Sequence, residues 1–131
     1  MTASASRPRV LVVGLDPERV PGPWDPQPVL DAIAQGMAGL AAHGYDAASC
    51  LVGVDGSEDV EATVTTALRS ATWDCVLVGG GLRGDPDLVE LLEAVVDLVR
   101  RYAGDAPLAF NSTPSDLATP VARALARRAR A

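Results

Sequence analysis

The side chains best suited by type to chemistry in this chain are carboxylates and guanidiniums. Asp16, Glu18 and Arg19 follow an apolar run at Arg9–Gly14, and Arg83 sits in a glycine run after another at Asp74–Gly79. A carboxylate can move a proton and a guanidinium can fix an acidic substrate group. Asp16 with Arg83, assisted by hydrogen bonds from Asn111 or Ser112, is therefore the set that could carry acid–base catalysis. Other routes are narrow. The single histidine, His43, closes a helical pattern and points to the opposite sheet edge, so no Ser–His or Cys–His pair assembles with it. The chain has no lysine, which removes a Walker-A lysine, a Schiff-base lysine and the lysine of a phosphorylated receiver domain. Cys50 and Cys75 lie inside apolar runs without metal-ligand spacing, and Asp16 with Asp85 or Asp55 lacks a compact ligand pattern, so no metal site is expected.

The glycine run reads W-D-C-V-L-V-G-G-G-L-R-G-D-P-D over Trp73–Asp87 and contains G-x-G-x-x-G at Gly79, Gly81 and Gly84. In a dinucleotide fold that motif follows the first strand and the helix begins inside it. Here it follows the third apolar run. Asp85 and Pro86 read as the cap and first residue of a helix that starts beyond the motif, placing a carboxylate on the amides a pyrophosphate would use. A nicotinamide or flavin dinucleotide is not expected, and no cofactor is.

These residues need a frame. Arg9–Gly14, Ala47–Val54, Asp74–Gly79 and Ala106–Asn111 are short apolar runs of the kind buried on both sides in parallel sheets. Helical patterns separate them. Val29, Ile33, Met37 and Leu40 form one, stopped by Gly44, and Val60, Val64 and Leu68 form the second, with Ser57 as its expected cap. The third runs from Asp85-Pro86 to about Tyr102. The last is capped at Ser115 or at Thr119, the latter keeping Pro120 in its first turn. Strict alternation with right-handed crossovers predicts a three-layer α/β/α sandwich on a four-stranded parallel sheet of order 2-1-3-4, Rossmann-like or flavodoxin-like. Residues 9–131 form its single domain and 1–8 a flexible lead. In that order Cys50 and Cys75 are separated by strand 1, which predicts no disulfide.

Open parallel sheets bind ligands beyond the carboxyl ends of their strands, at the point where successive connections diverge. Three loops meet there. Leu15–Pro28 carries five prolines and exceeds the usual βα length of about 2–6 residues. The glycine run is the second and Asn111–Pro114 the third. The expected ligand-binding residues are Asp16, Pro17, Glu18, Arg19 and Trp24 from the first, Gly79, Gly80, Gly81 and Arg83 from the second, and Asn111, Ser112 and Thr113 from the third. Trp24 either covers the pocket or packs on its own loop's prolines. Acids at helix starts, Glu58 and Asp59 among them, read mainly as partners of helix dipoles.

Two surface features remain. The pattern 86–102 leaves only a narrow polar stripe, wider in apolar residues than one sheet face requires. It is either a homodimer interface or a surface covered by helix 120–129. Arg123, Arg127, Arg128 and Arg130 read as a solvated helix end suited to the C-terminal dipole. A formal charge of −6 argues against nucleic acid, and no apolar run approaches the roughly 18 residues a membrane span needs. Without the apolar core of a secretory signal near its start, the chain is expected in the cytoplasm.

From Trp73 to Asp116 the pattern D-C-V-L-V-G-G-G-L-R-G-D-P-D-L-V-E-L-L followed by A-P-L-A-F-N-S-T-P-S-D, together with G-L-D-P at Gly14–Pro17, resembles a group of small single-domain bacterial proteins. The resemblance implies a Rossmann-like fold and no established activity, and by position it points to Asp16, Pro17, Gly79, Gly81, Arg83, Pro86, Asn111, Thr113 and Pro114. Receiver domains need an acceptor Asp where this chain has glycines. Cobalamin-binding domains need D-x-H-x-x-G, where Asp16 is followed here by Pro17-Glu18. Three functions are left: binding of a small polar molecule at the crevice, a small carboxylate acid–base enzyme using Asp16 and Arg83, or a dimeric interaction module.

Overall fold

The computed structural model describes residues 7–130. Of the expected lead, residues 1–6 lie outside that range. Pro8 already belongs to the sheet margin, because its carbonyl accepts from the Asp46 amide at 2.8 Å.

The four apolar runs form strands β1 (Arg9–Leu15), β2 (Asp46–Val52), β3 (Cys75–Val78) and β4 (Leu108–Phe110). All pairings are parallel and the order is β2-β1-β3-β4, as the alternation requires. The long helices are α1 (Gln27–Ala42), α2 (Val60–Arg69), α4 (Val89–Tyr102) and α5 (Ala118–Arg130), with a short helix α3 (Gly80–Gly84) between β3 and α4.

Both faces of the sheet are buried, and the strand period of two divides the core. Leu11, Val13, Val52, Val76 and Val78 face α2 and α4, meeting Val64, Leu68, Val95 and Val99. Val10, Val12, Leu77 and Ala109 face α1 and α5, meeting Leu40, Val121 and Ala124. Cys50 and Cys75 fall on opposite faces, both as free thiols, and burial pushes Cys75 up to about 11. At that value Cys75 is a small hydrophobe, not a nucleophile.

This division removes one of the two alternatives for residues 86–102, a cover by helix 120–129. Helix α5 cannot cover α4, because the two lie on opposite faces of the sheet. Helix α2 is the neighbour instead, and Leu91, Leu92 and Leu98 pack partly buried against their shared core. Arg69 of α2 lies 5.7 Å from the centre of the Tyr102 ring, joining the ends of the two helices. Part of the apolar stripe thus packs within the molecule, while Leu91, Leu92, Val96 and Leu98 stay partly exposed and Val89 and Tyr102 exposed.

Helix starts differ in detail. Asp59, not Ser57, caps α2, its carboxylate accepting from the Ala62 amide at 3.1 Å. Helix α5 begins at Ala118 and Asp116 serves its first turn, accepting from the Thr119 amide, so Pro120 sits where no intrahelical N–H is needed. That hydrogen bond holds the Asp116 carboxyl below its ordinary value.

The arginines of α5 are not simply a solvated end. Arg123 donates to the Phe110 carbonyl at 3.2 Å and Arg127 to the Leu108 carbonyl at 2.9 Å. Four helical residues rise about 6 Å and two strand residues about 6.6 Å, so arginines four apart match alternate carbonyls of β4. Because β4 is an edge strand, they occupy groups that could otherwise pair with another chain. Arg128 pairs with the Asp74 carboxylate at 3.1 Å.

Candidate functional site

The chain leaves β1 toward β2 and leaves β3 toward β4, so the carboxyl edge opens between β1 and β3. The C-terminal half of α1 packs on the sheet through Leu40. Val29 and Ile33, read as core positions, instead line a cavity of about 470 Å³. That volume falls within the roughly 300–1,000 Å³ typical of small-molecule sites.

The floor of the cavity comes from Val12 and Gly14 of β1, Leu77 of β3, and Gly79, Gly80 and Gly81. The proline-rich loop contributes Leu15, Pro17, Val20 and Trp24, and the loop after β4 contributes Asn111, Ser112, Pro114 and Leu117. Trp24 therefore reaches the cavity, and its indole N–H donates to the Val20 carbonyl at 3.2 Å within its own loop. The turn between those two residues passes through Gly22 at φ 126°, which a residue with a Cβ rarely adopts. A second glycine sets the width of the site. A Cβ on Gly36 of α1 would collide with the Pro114 carbonyl oxygen and come within 2.8 Å of the Leu117 Cγ. Only glycine lets the loop after β4 lie against the helix there.

The glycine run is built differently from expectation. Its helix begins inside the motif, with Gly79 as cap and Gly80–Gly84 as a single helical turn, and Asp85 caps the separate 3-10 turn Pro86–Leu88 that leads into α4. Asp85 therefore does not occupy the amides at the glycine turn. That turn is secured from below by Leu82, which is fully buried in the α2/α4 core.

Arg83 extends from the same turn but not into the cavity. Its Nε donates to the Val78 carbonyl at 3.2 Å, its Nη2 donates to the Asn111 carbonyl and at 3.3 Å to the Asn111 side-chain oxygen, and the guanidinium lies 5.0 Å from the centre of the Phe110 ring. It ties the ends of β3 and β4 together. Asn111 is correspondingly committed: it is buried, and its side-chain amide donates to the Thr113 carbonyl at 2.9 Å. Thr113 hydrogen-bonds with Ser115 and lies off the cavity wall, whereas Ser112 is exposed at the rim.

On the other side of β1 the expected charges form a closed network. Arg19 donates through Nε to Asp16 at 2.9 Å, through Nη1 to Glu58 at 2.7 Å and through Nη2 to the Leu51 carbonyl at 3.1 Å. Asp16 also accepts from the Glu18 amide at 3.0 Å. Glu58 accepts in addition from the Gly53 amide and the Thr63 hydroxyl, both at 2.7 Å. The Gly53 amide first, then Thr63 and Arg19, hold the Glu58 carboxyl below the ordinary glutamate value, and the hydrogen bond to Asp16 leads in raising Arg19. A Cβ on Gly53 would lie 3.0 Å from the Arg19 side chain, a tight contact that glycine relieves at this crossing. Glu58, read as a helix-dipole acid, is instead the hub joining the loops after β1 and β2.

Of the residues expected at the site, Pro17, Trp24, Gly79, Gly80, Gly81, Asn111 and Ser112 line one cavity. Asp16, Glu18, Arg19, Arg83 and Thr113 do not. No charged side chain among the described residues lines it. The pair offered for acid–base work, Asp16 and Arg83, is engaged in separate protein contacts on either side of it. The residues missed are aliphatic: Val12, Leu15, Val20, Val29, Ile33, Leu51, Leu77 and Leu117. Their apolar type reads as ordinary core, and nothing in the local pattern separates them from it. Among the described residues no helix is long and apolar enough to cross a membrane. A scan of protein-family models and a search of curated proteins return no match to this chain.

Proposed function

We propose that this chain is a small-molecule-binding domain whose ligand enters the β1/β3 crevice, with no catalytic role assigned to the site. The observation that carries this reading is the cavity of about 470 Å³ at the divergence of the β1 and β3 connections, walled by three separate loops and α1. A monomeric domain gains stability by closing its apolar side chains on one another. Here Val29, Ile33 and Trp24 surround open space, which suits a ligand that completes the packing. The polar groups at its boundary are few, chiefly the backbone of the glycine turn, Asn111 and the Ser112 hydroxyl, and these would orient a ligand more than hold it. Asp16 and Arg83 support the walls.

The test is a thermal-shift screen of neutral and charged metabolites, nucleotides and metal ions against the wild type and against Ser112→Trp. Ser112 is exposed at the rim, so an indole there obstructs the cavity without entering the core. Ligands that raise the wild-type melting temperature are expected to lose their effect on the variant. Equal shifts in both proteins, with the variant folded by circular dichroism, would place binding elsewhere and overturn the reading.

A further inference from the structure

Resting on the crevice reading above, we propose that the ligand is an uncharged molecule with a flat aromatic body, and that Trp24 is the residue that selects for it. Charge is argued from the cavity wall. No charged side chain among the described residues lines it, and the two nearby guanidiniums are already committed. Arg19 is held by Asp16 and Glu58, and Arg83 by the carbonyls of Val78 and Asn111. A phosphate or carboxylate entering the cavity would lose hydration and meet no free charged side chain, only the backbone amides of one short glycine turn, which compensate a buried ion poorly.

Shape is argued from Trp24. It is the one aromatic side chain lining the cavity among the described residues, and it remains 42% exposed. Its indole N–H is already used by the Val20 carbonyl, so what the side chain offers a ligand is ring surface and not a donor. That hydrogen bond also fixes the indole relative to its loop, so little side-chain freedom is left to lose on binding. Gly79, Gly80 and Gly81 line the same cavity without side chains, a stretch of bare backbone against which a flat body fits more closely than a puckered one. An exposed, oriented aromatic ring beside an apolar cavity gains from stacking beyond simple burial of area.

Three probes of one carbon skeleton separate these claims: naphthol, which is flat and neutral; decahydronaphthol, which is neutral and puckered; and naphthyl phosphate, which is flat and charged. Affinities are measured by calorimetry for the wild type, Trp24→Phe and Trp24→Ala. Naphthol is expected to bind most tightly, and Trp24→Ala to weaken it about three- to tenfold while leaving decahydronaphthol nearly unchanged. Trp24→Phe should retain most of the preference. Equal binding of the flat and puckered probes overturns the aromatic assignment, and equal or tighter binding of naphthyl phosphate overturns the uncharged one. Failure of all three probes, with another compound still protecting the wild type but not Ser112→Trp, overturns this ligand class and leaves the crevice reading standing. If Ser112→Trp fails to block any ligand, the crevice reading itself falls.

Discussion

The carboxyl edge of the sheet has two halves that treat their side chains in opposite ways. Between β1 and β2 the loops bring Asp16, Arg19 and Glu58 together, and every one of these charges is satisfied inside the protein. Between β1 and β3 the loops stand apart around an apolar cavity. The charged half closes and the apolar half stays open. Charged side chains at a crevice can therefore be its scaffold, whereas residues that resemble ordinary core can be its binding surface. Arg83 fits the first category as well, since it joins β3 to β4 outside the cavity.

The largest effect expected from breaking this contrast comes from Leu82→Ala. Leu82 anchors the glycine turn from the opposite face of the sheet and is fully buried, so its truncation should cost about 2–5 kcal/mol of unfolding free energy. Urea denaturation measures it. A loss under about 1 kcal/mol, below the usual cost of emptying a buried leucine site, would show that the turn forming the cavity floor does not depend on that core.

Next in size is Gly36→Ala, which pushes α1 away from the loop after β4. Because the colliding atom is a backbone carbonyl, relief requires movement of helix or loop, and about 1–3 kcal/mol is expected. Gly39→Ala on the same helix supplies the contrast. A Cβ there meets nothing within 4 Å, so the same substitution should stabilise by about 0.4–1 kcal/mol. Opposite signs for the two variants in one denaturation series would locate the effect in the loop contact and not in helix propensity. Gly36→Ala should also weaken any crevice ligand, because the displaced segment carries Pro114 and Leu117.

How much of this was legible beforehand depends on range. The sheet order and the four long helices follow from period, strand length and handedness, properties carried by neighbouring residues. The crevice was legible too, because topology fixes where β1 and β3 diverge. Pairing across the fold was not. That Glu58 would meet Arg19, 39 residues away in sequence, beside Gly53 is a contact across the fold that local pattern does not reveal. The glycine turn was misread for a related reason. Its helical conformation is imposed by burial of Leu82 beneath it, overriding the poor helix propensity of glycine. The arginines of α5 looked solvated because their partners are backbone carbonyls of β4, which carry no sequence signature.

The smallest effect is expected at Glu58→Gln, and it tests the charged half directly. Glu58 has its folded pKa depressed below the ordinary 4.5. Its contribution to stability is therefore complete above that value and is lost as pH falls through the lower folded value. Glu58→Gln should melt a few degrees below the wild type at neutral pH, by less than either Leu82→Ala or Gly36→Ala. The gap should close as acidification protonates the wild-type carboxylate. Residual acid dependence should persist in the variant, because Asp55 and Asp116 are also held below their ordinary value. Melting curves across this range, repeated with a crevice ligand bound, separate the two halves. If the charged half is scaffold, the ligand-induced shift at neutral pH is the same for Glu58→Gln and the wild type. A ligand shift that disappears together with the Glu58 charge would instead make the network part of the binding surface and erase the distinction between the halves.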